Sequence, residues 1–92
     1  MAEVVVRIPA PLRAFADEAA ELRVAAGTVA EVLCELAGRH PQLVSRVLTP
    51  QGELRPFVNV FVGRASVRGL QGLATPVPDG EVLSILPAVA GG

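Results

Sequence analysis

Few side chains in this sequence are spaced to do chemistry, and its last two residues draw attention because they carry none. Cys34 is the single thiol. A reactive cysteine needs a cationic, partly exposed setting. Cys34 instead falls about 140° around a helical wheel from Val29, on the flank of an apolar stripe, with no second cysteine to resolve a disulfide. His40 lies at the exit from the same helix, where it is placed to meet the last carbonyls and not to serve Cys34 as a base. Asp17 and Glu18 are adjacent, and Glu31 and Glu35 stand at i,i+4, where like charges slightly repel, so both pairs read as solvated faces. Gly63, Gly69 and Gly72 do not follow a strand and open a helix, as a phosphate-cradling loop requires. One cysteine cannot build a cysteine-rich metal site, and no resident metal or cofactor is expected.

The chemistry that remains is at "LPAVAGG", residues 86–92. Gly91 and Gly92 lack a Cβ, so they combine the widest backbone freedom with the smallest cross-section a peptide has. Pro87 is expected to break the sheet ladder, leaving Ala88, Val89 and Ala90 as a tapering, flexible tail over residues 88–92. A tail of this shape can thread a narrow channel in another protein. Its α-carboxylate, ordinarily titrating at about pH 3.5, is ionised at neutral pH and can attack the α-phosphorus of ATP to give an electrophilic acyl phosphate. The competing reading is a frayed terminus, since terminal glycines are often merely disordered.

The elements that must carry this tail follow from periodicity. "EVVVRIP" reads as a strand with Val4, Val6 and Ile8 on one face and Val5 and Arg7 on the other, ended by Pro9 and Pro11. Leu12 to Ala20 is ambiguous between loop and short helical turn, and Glu21 to Ala25 is a returning strand. Thr28 can cap a helix with Glu31 reaching back to its start, while Val29, Val32, Leu33 and Leu36 make the stripe. Gly38 and Pro41 are expected to stop it. A short helical piece over Gln42 to Leu48 and a "TPQG" turn come next. "FVNVFV", Phe57 to Val62, switches to period two and reads as a central strand, joined through Gly63 and Arg64 to a short strand around Val67. Asn59 is the polar residue in that run and should meet solvent or a backbone group. "PDGE" is a turn, and Val82 to Leu86 is the last strand. The order implies an α+β domain over residues 1–87: a mixed sheet with one main helix packed on one face and the other face partly open.

Composition narrows the partners. The chain has 92 residues, 51% of them hydrophobic and only 3% aromatic, all phenylalanine, so the core must be aliphatic and no Trp or Tyr platform exists for stacked bases. Eight arginines are scattered among nine acids for a net charge of -1, which disfavours nucleic acid. Lysine is absent, which excludes amine catalysis by a side chain. No stretch approaches the roughly 18 apolar residues of a membrane span, and the start does not read as a signal peptide, so no membrane association and a cytoplasmic location are expected. The open sheet face, with the strand leading to the tail, is the expected docking surface, involving Phe61 and the flanking Arg64 and Arg68, while Ala88, Val89 and Ala90 enter the partner.

"FVNVFV" at 57–62, "LATPVPDGE" at 73–81 and "SILPAVAGG" at 84–92 closely resemble the ubiquitin-like sulfur-carrier proteins. That group includes the molybdopterin synthase small subunit, the thiazole-synthesis carrier and the carrier for cysteine synthesis. The resemblance covers nearly the whole chain and implies a β-grasp fold. It further implies that Gly92, preceded by Gly91, is adenylated by an E1-like adenylyltransferase/sulfurtransferase, using ATP and a sulfur donor, and becomes a thiocarboxylate. Ending at that pair, the chain would need no proteolytic maturation. Such a protein is a carrier and not itself an enzyme. The loop "LTPQGELRPFVNV" looks most like the cysteine-synthesis type, whose acceptor is a pyridoxal phosphate-dependent synthase. The alternatives are the large subunit of molybdopterin synthase, a carrier shared with tRNA or natural-product sulfuration, or, in a different class, a non-catalytic interaction module.

Overall fold

The computed structural model describes residues 3–25 and 27–87. Among them are β1 (Glu3–Arg7), β2 (Glu21–Ala25), α1 (Val29–Arg39), α2 (Pro41–Val47), β3 (Val58–Val62), β4 (Ala65–Ser66) and β5 (Val82–Pro87), with 3-10 turns at Ala10–Ala16, Val67–Gly69 and Gly72–Ala74. The strands form one mixed sheet in the order β2-β1-β5-β3-β4. β1 and β5 run parallel, with Val6 opposite Leu83, and every other pairing is antiparallel. This is the ubiquitin-like β-grasp arrangement of an α+β protein, as expected.

Alternation along each strand selects the buried face. Val4 and Val6 from β1, Val24 from β2, Val58 and Val60 from β3, and Leu83 and Ile85 from β5 point to one side and are buried. The expected stripe of α1, Val29, Val32, Leu33 and Leu36, closes over them, and Leu43 and Val47 of α2 extend the cover. Leu12 and Ala16, from the segment whose sequence was ambiguous, complete the same cluster through a 3-10 helix. At about 25 cal/mol per Å² of apolar surface, this burial is the main favourable contribution to folding.

The start of α1 is built as the sequence indicated, with one change of partner. Thr28 Oγ1 accepts from the Glu31 amide at 3.2 Å, but the Glu31 carboxylate reaches one residue further back and accepts from the Gly27 amide at 2.9 Å. The end of the helix departs from expectation: Gly38 lies within α1, which runs to Arg39. Pro41, which lacks the N–H that a helix interior needs but not the one a first turn leaves free, opens α2.

Three further expectations are corrected by non-local pairing. The run ending at Val62 is not the central strand, because β5 occupies the centre and β3 stands between it and the short edge strand β4. The strand after Gly63 is Ala65–Ser66, and Val67 turns into a 3-10 helix in which the Arg68 amide is capped by Ser66 Oγ. Pro87 does not break the ladder: it is the last residue of β5, in register with Val58. β1 leaves β5 after Ser84, so one side of Pro87 has no ladder to interrupt.

Candidate functional site

Ala88, Val89, Ala90, Gly91 and Gly92, which the sequence marks as the reactive tail, lie outside the described residues. The structure does describe their root. β5 carries the chain to Pro87 with Val58 beside it, and the sheet face on the side away from α1 reaches to Leu86, one residue earlier.

This outer face is divided by its residue types. On β1 and β2 it is ionic: Arg7 pairs with Glu21 at 3.3 Å and Arg23 with Glu3 at 3.2 Å, both exposed cross-strand contacts. Such pairs contribute at most about 1 kcal/mol each, and they satisfy that half of the sheet within the chain. On β5 and β3 the outward residues are Val82, Ser84 and Leu86, then Asn59 and Phe61, none of them charged. Leu86 is 49% exposed and Phe57, in the turn before β3, is 66% exposed. Leu86 stands opposite Asn59, one position before Pro87. The half of the face whose own strand residues carry no charge therefore abuts the root of the tail, with the Arg68 guanidinium bonded to Asn59 beside it.

Phe61 lies where the sequence placed it, on the outer face, half-buried between Ser84 and Ser66 of the flanking strands. Arg64 is exposed on the tight turn from β3 to β4, where Gly63 takes a φ of 60° and a side chain would approach the Glu81 carboxylate at 3.3 Å. Arg68 is engaged inside the chain. It donates from Nη2 to the carbonyls of Arg55 and Val58, each at 2.7 Å, and from Nε to Asn59 Oδ1 at 3.2 Å. The polar group that Asn59 meets is thus an arginine side chain.

Phe57 and Leu86 were missed as surface residues. For Leu86 the alternation of β5 contained the signal, because Leu83 and Ile85 are inward and Leu86 falls out of phase with them. Phe57 gave none, since it reads as the first residue of an apolar strand but belongs to the turn Arg55–Val58. Cys34 is exposed on α1, the helix that packs on the inner face. His40 joins α1 to α2, its amide donating to the Leu36 carbonyl.

The ThiS family matches residues 6–92, so the match runs through Gly91 and Gly92. The sulfur carrier protein CysO of Mycobacterium tuberculosis (strain ATCC 25618 / H37Rv) is 36% identical over 91 residues, covering 97% of this chain and 98% of that protein. Small archaeal modifier protein 3 of Haloferax volcanii is 40% identical over 65 residues, 71% of this chain and 70% of its own length. Among solved structures, the Amycolatopsis orientalis BexX/CysO complex contains a chain that superposes with a TM-score of 0.90 at 37% identity, over 97% of this chain and 99% of that one.

Proposed function

We propose a mechanism and a destination for a chain that belongs to the ThiS family and is, like its full-length relatives, a sulfur carrier. The Gly92 carboxylate attacks the α-phosphorus of ATP held by an E1-like partner enzyme, and pyrophosphate leaves. Sulfur from a donor then attacks the acyl carbon, AMP departs, and a thiocarboxylate remains. Gly91 gives the tip the slimness and freedom needed to reach that site, and Ala88, Val89 and Ala90 line the inside of the partner's channel. Phe61 and Arg64 contact the partner outside it. The thiocarboxylate is delivered to a pyridoxal phosphate-dependent synthase that makes cysteine. The domain supplies no catalytic group of its own, and ATP and the sulfur donor are substrates of the partner.

The observation that supports this reading is the extent of the family match, which includes both terminal glycines. The destination draws on identity to CysO over almost the whole of both chains. Intact mass provides the test. Incubation with ATP, a sulfur source and an adenylating enzyme verified on its own carrier should add the mass of one oxygen-to-sulfur exchange, and deletion of Gly92 should abolish the gain. An unchanged mass refutes the mechanism. A residue appended after Gly92 should also abolish it, whereas a module that only docks would keep its partner binding and its function. Offering the thiocarboxylate to the cysteine-forming and the molybdopterin-forming acceptors then decides the destination, and a pterin dithiolene without cysteine refutes the one proposed.

A further inference from the structure

We infer that Arg68 is a positioning residue that holds Phe57 in place for the adenylating enzyme at the root of the tail, an inference that rests on the carrier reading above. Presenting an aromatic ring to water carries a cost. Phe57 is 66% exposed, so it contributes little to the core, yet the backbone on either side of it is tied more heavily than folding of a surface turn requires. The Val58 amide closes the turn onto the Arg55 carbonyl at 3.0 Å. Arg68 Nη2 then bridges that same carbonyl and the carbonyl of Val58, so the first and last residues of the turn are gripped by one guanidinium. From the other side, the Arg55 amide donates to Val47 and its Nε to the Ser45 carbonyl, tethering the turn to α2. Pro56, between them, has its φ fixed by its ring.

The turn is rigid at the one place where rigidity bears on the tail. Val58, gripped by Arg68, is the residue in register with Pro87, after which the tail begins. A ring presented on a rigid turn loses little conformational entropy when a partner covers it. A partner that draws in the tail must approach this end of the sheet, where Phe57 and Leu86, two of the three exposed large apolar side chains among the described residues, with Leu70 the third, stand beside a strand pair with no charged outward residue. Only the arginine fork can serve both carbonyls and Asn59 together, because a lysine ammonium is a single point on a flexible stem.

The test is a double-mutant cycle read in steady-state adenylation. The substrates are wild type, Arg68→Ala, Phe57→Ala and the double variant, and the enzyme is a purified adenylating enzyme that activates its own carrier. Thermal melts establish the temperature at which each variant is folded. Arg68→Ala and Phe57→Ala should each raise KM for the carrier by about five- to tenfold with kcat unchanged, the size expected on losing a buried aromatic contact. The double variant should match Phe57→Ala alone, because Arg68 acts through that ring. Arg68→Lys, which retains charge and is the milder change to the fold, should behave as Arg68→Ala does. Multiplying effects in the double variant, a wild-type KM for Arg68→Ala, or restoration by lysine would each overturn the inference while leaving the carrier reading intact. Failure of the wild type to be adenylated at all would overturn both.

Discussion

Val60 and Phe61 are neighbours that leave β3 in opposite directions, and replacing each by alanine separates the core face from the docking face. Val60 is fully buried, and Val60→Ala deletes two methyl groups. At about 0.8 kcal/mol per buried carbon that is roughly 1.6 kcal/mol of transfer free energy. The unfilled space left behind raises the cost to about 2–3 kcal/mol. For a domain of this size each 1 kcal/mol lowers Tm by about 4–8 °C, so the fall should be roughly 8–24 °C. Phe61 lies between two serines on the outer face and is only half-buried, so Phe61→Ala opens no enclosed cavity. Its cost should stay under about 1.5 kcal/mol, well short of the 3–5 kcal/mol typical of an enclosed phenylalanine. Thermal melts measure both, and steady-state adenylation of the same proteins measures docking. Phe61→Ala should raise KM with a modest loss of Tm, and Val60→Ala should do the reverse at temperatures where it is folded. A larger loss of Tm for Phe61→Ala than for Val60→Ala, with KM unchanged, would refute the assignment of faces.

Two predictions concern the scaffold. Thr28→Ala removes the oxygen that accepts the Glu31 amide at 3.2 Å and should cost about 1 kcal/mol, read as a Tm lower by about 4–8 °C; an unchanged Tm would mean the Glu31 carboxylate alone suffices to start α1. Asp17 and Glu18 have φ of 53° and 64°, the left-handed region that costs an L-residue about 1–2 kcal/mol. Glu18→Gly removes that strain and returns part of it as greater freedom of the unfolded chain, so urea melts should show a net gain of about 0.5–1 kcal/mol. A loss would show that the Glu18 side chain supports the turn.

What could be read in the sequence was what is local. Val4, Val6 and Ile8 and the stripe from Val29 to Leu36 follow from alternation and helical spacing. Alternation alone did not settle which residues of Phe57 to Val62 face outward, because a slip of one residue swaps the faces, and pairing with β5 is what turns Phe61 out. The left-handed pair at Asp17 and Glu18 was hidden because neither residue is glycine, and the turn is imposed by amides donating back to Arg13 and Ala16. Arg68 was hidden because its acceptors are carbonyls 10 and 13 residues away, and a carbonyl has no residue type to recognise.

Neighbour order in the sheet is also non-local, and it matters most for the tail. Period two showed that β3 and β5 are strands but could not show which of them is central. The parallel pairing of β1 with β5 joins residues far apart in the chain and puts β5 in the middle. As a result the tail issues from the strand clamped by β1 along Val82–Ser84 and by β3 along Leu83–Pro87, while β2 and β4 occupy the edges. Local opening begins at edges and ends, where buried contacts are few. A tail rooted on an edge strand would shift whenever that strand frayed. Rooted on β5, beside a turn gripped by Arg68, it departs from a fixed point. The root's orientation is then settled before binding, which is where preorganisation lowers the entropic cost of docking.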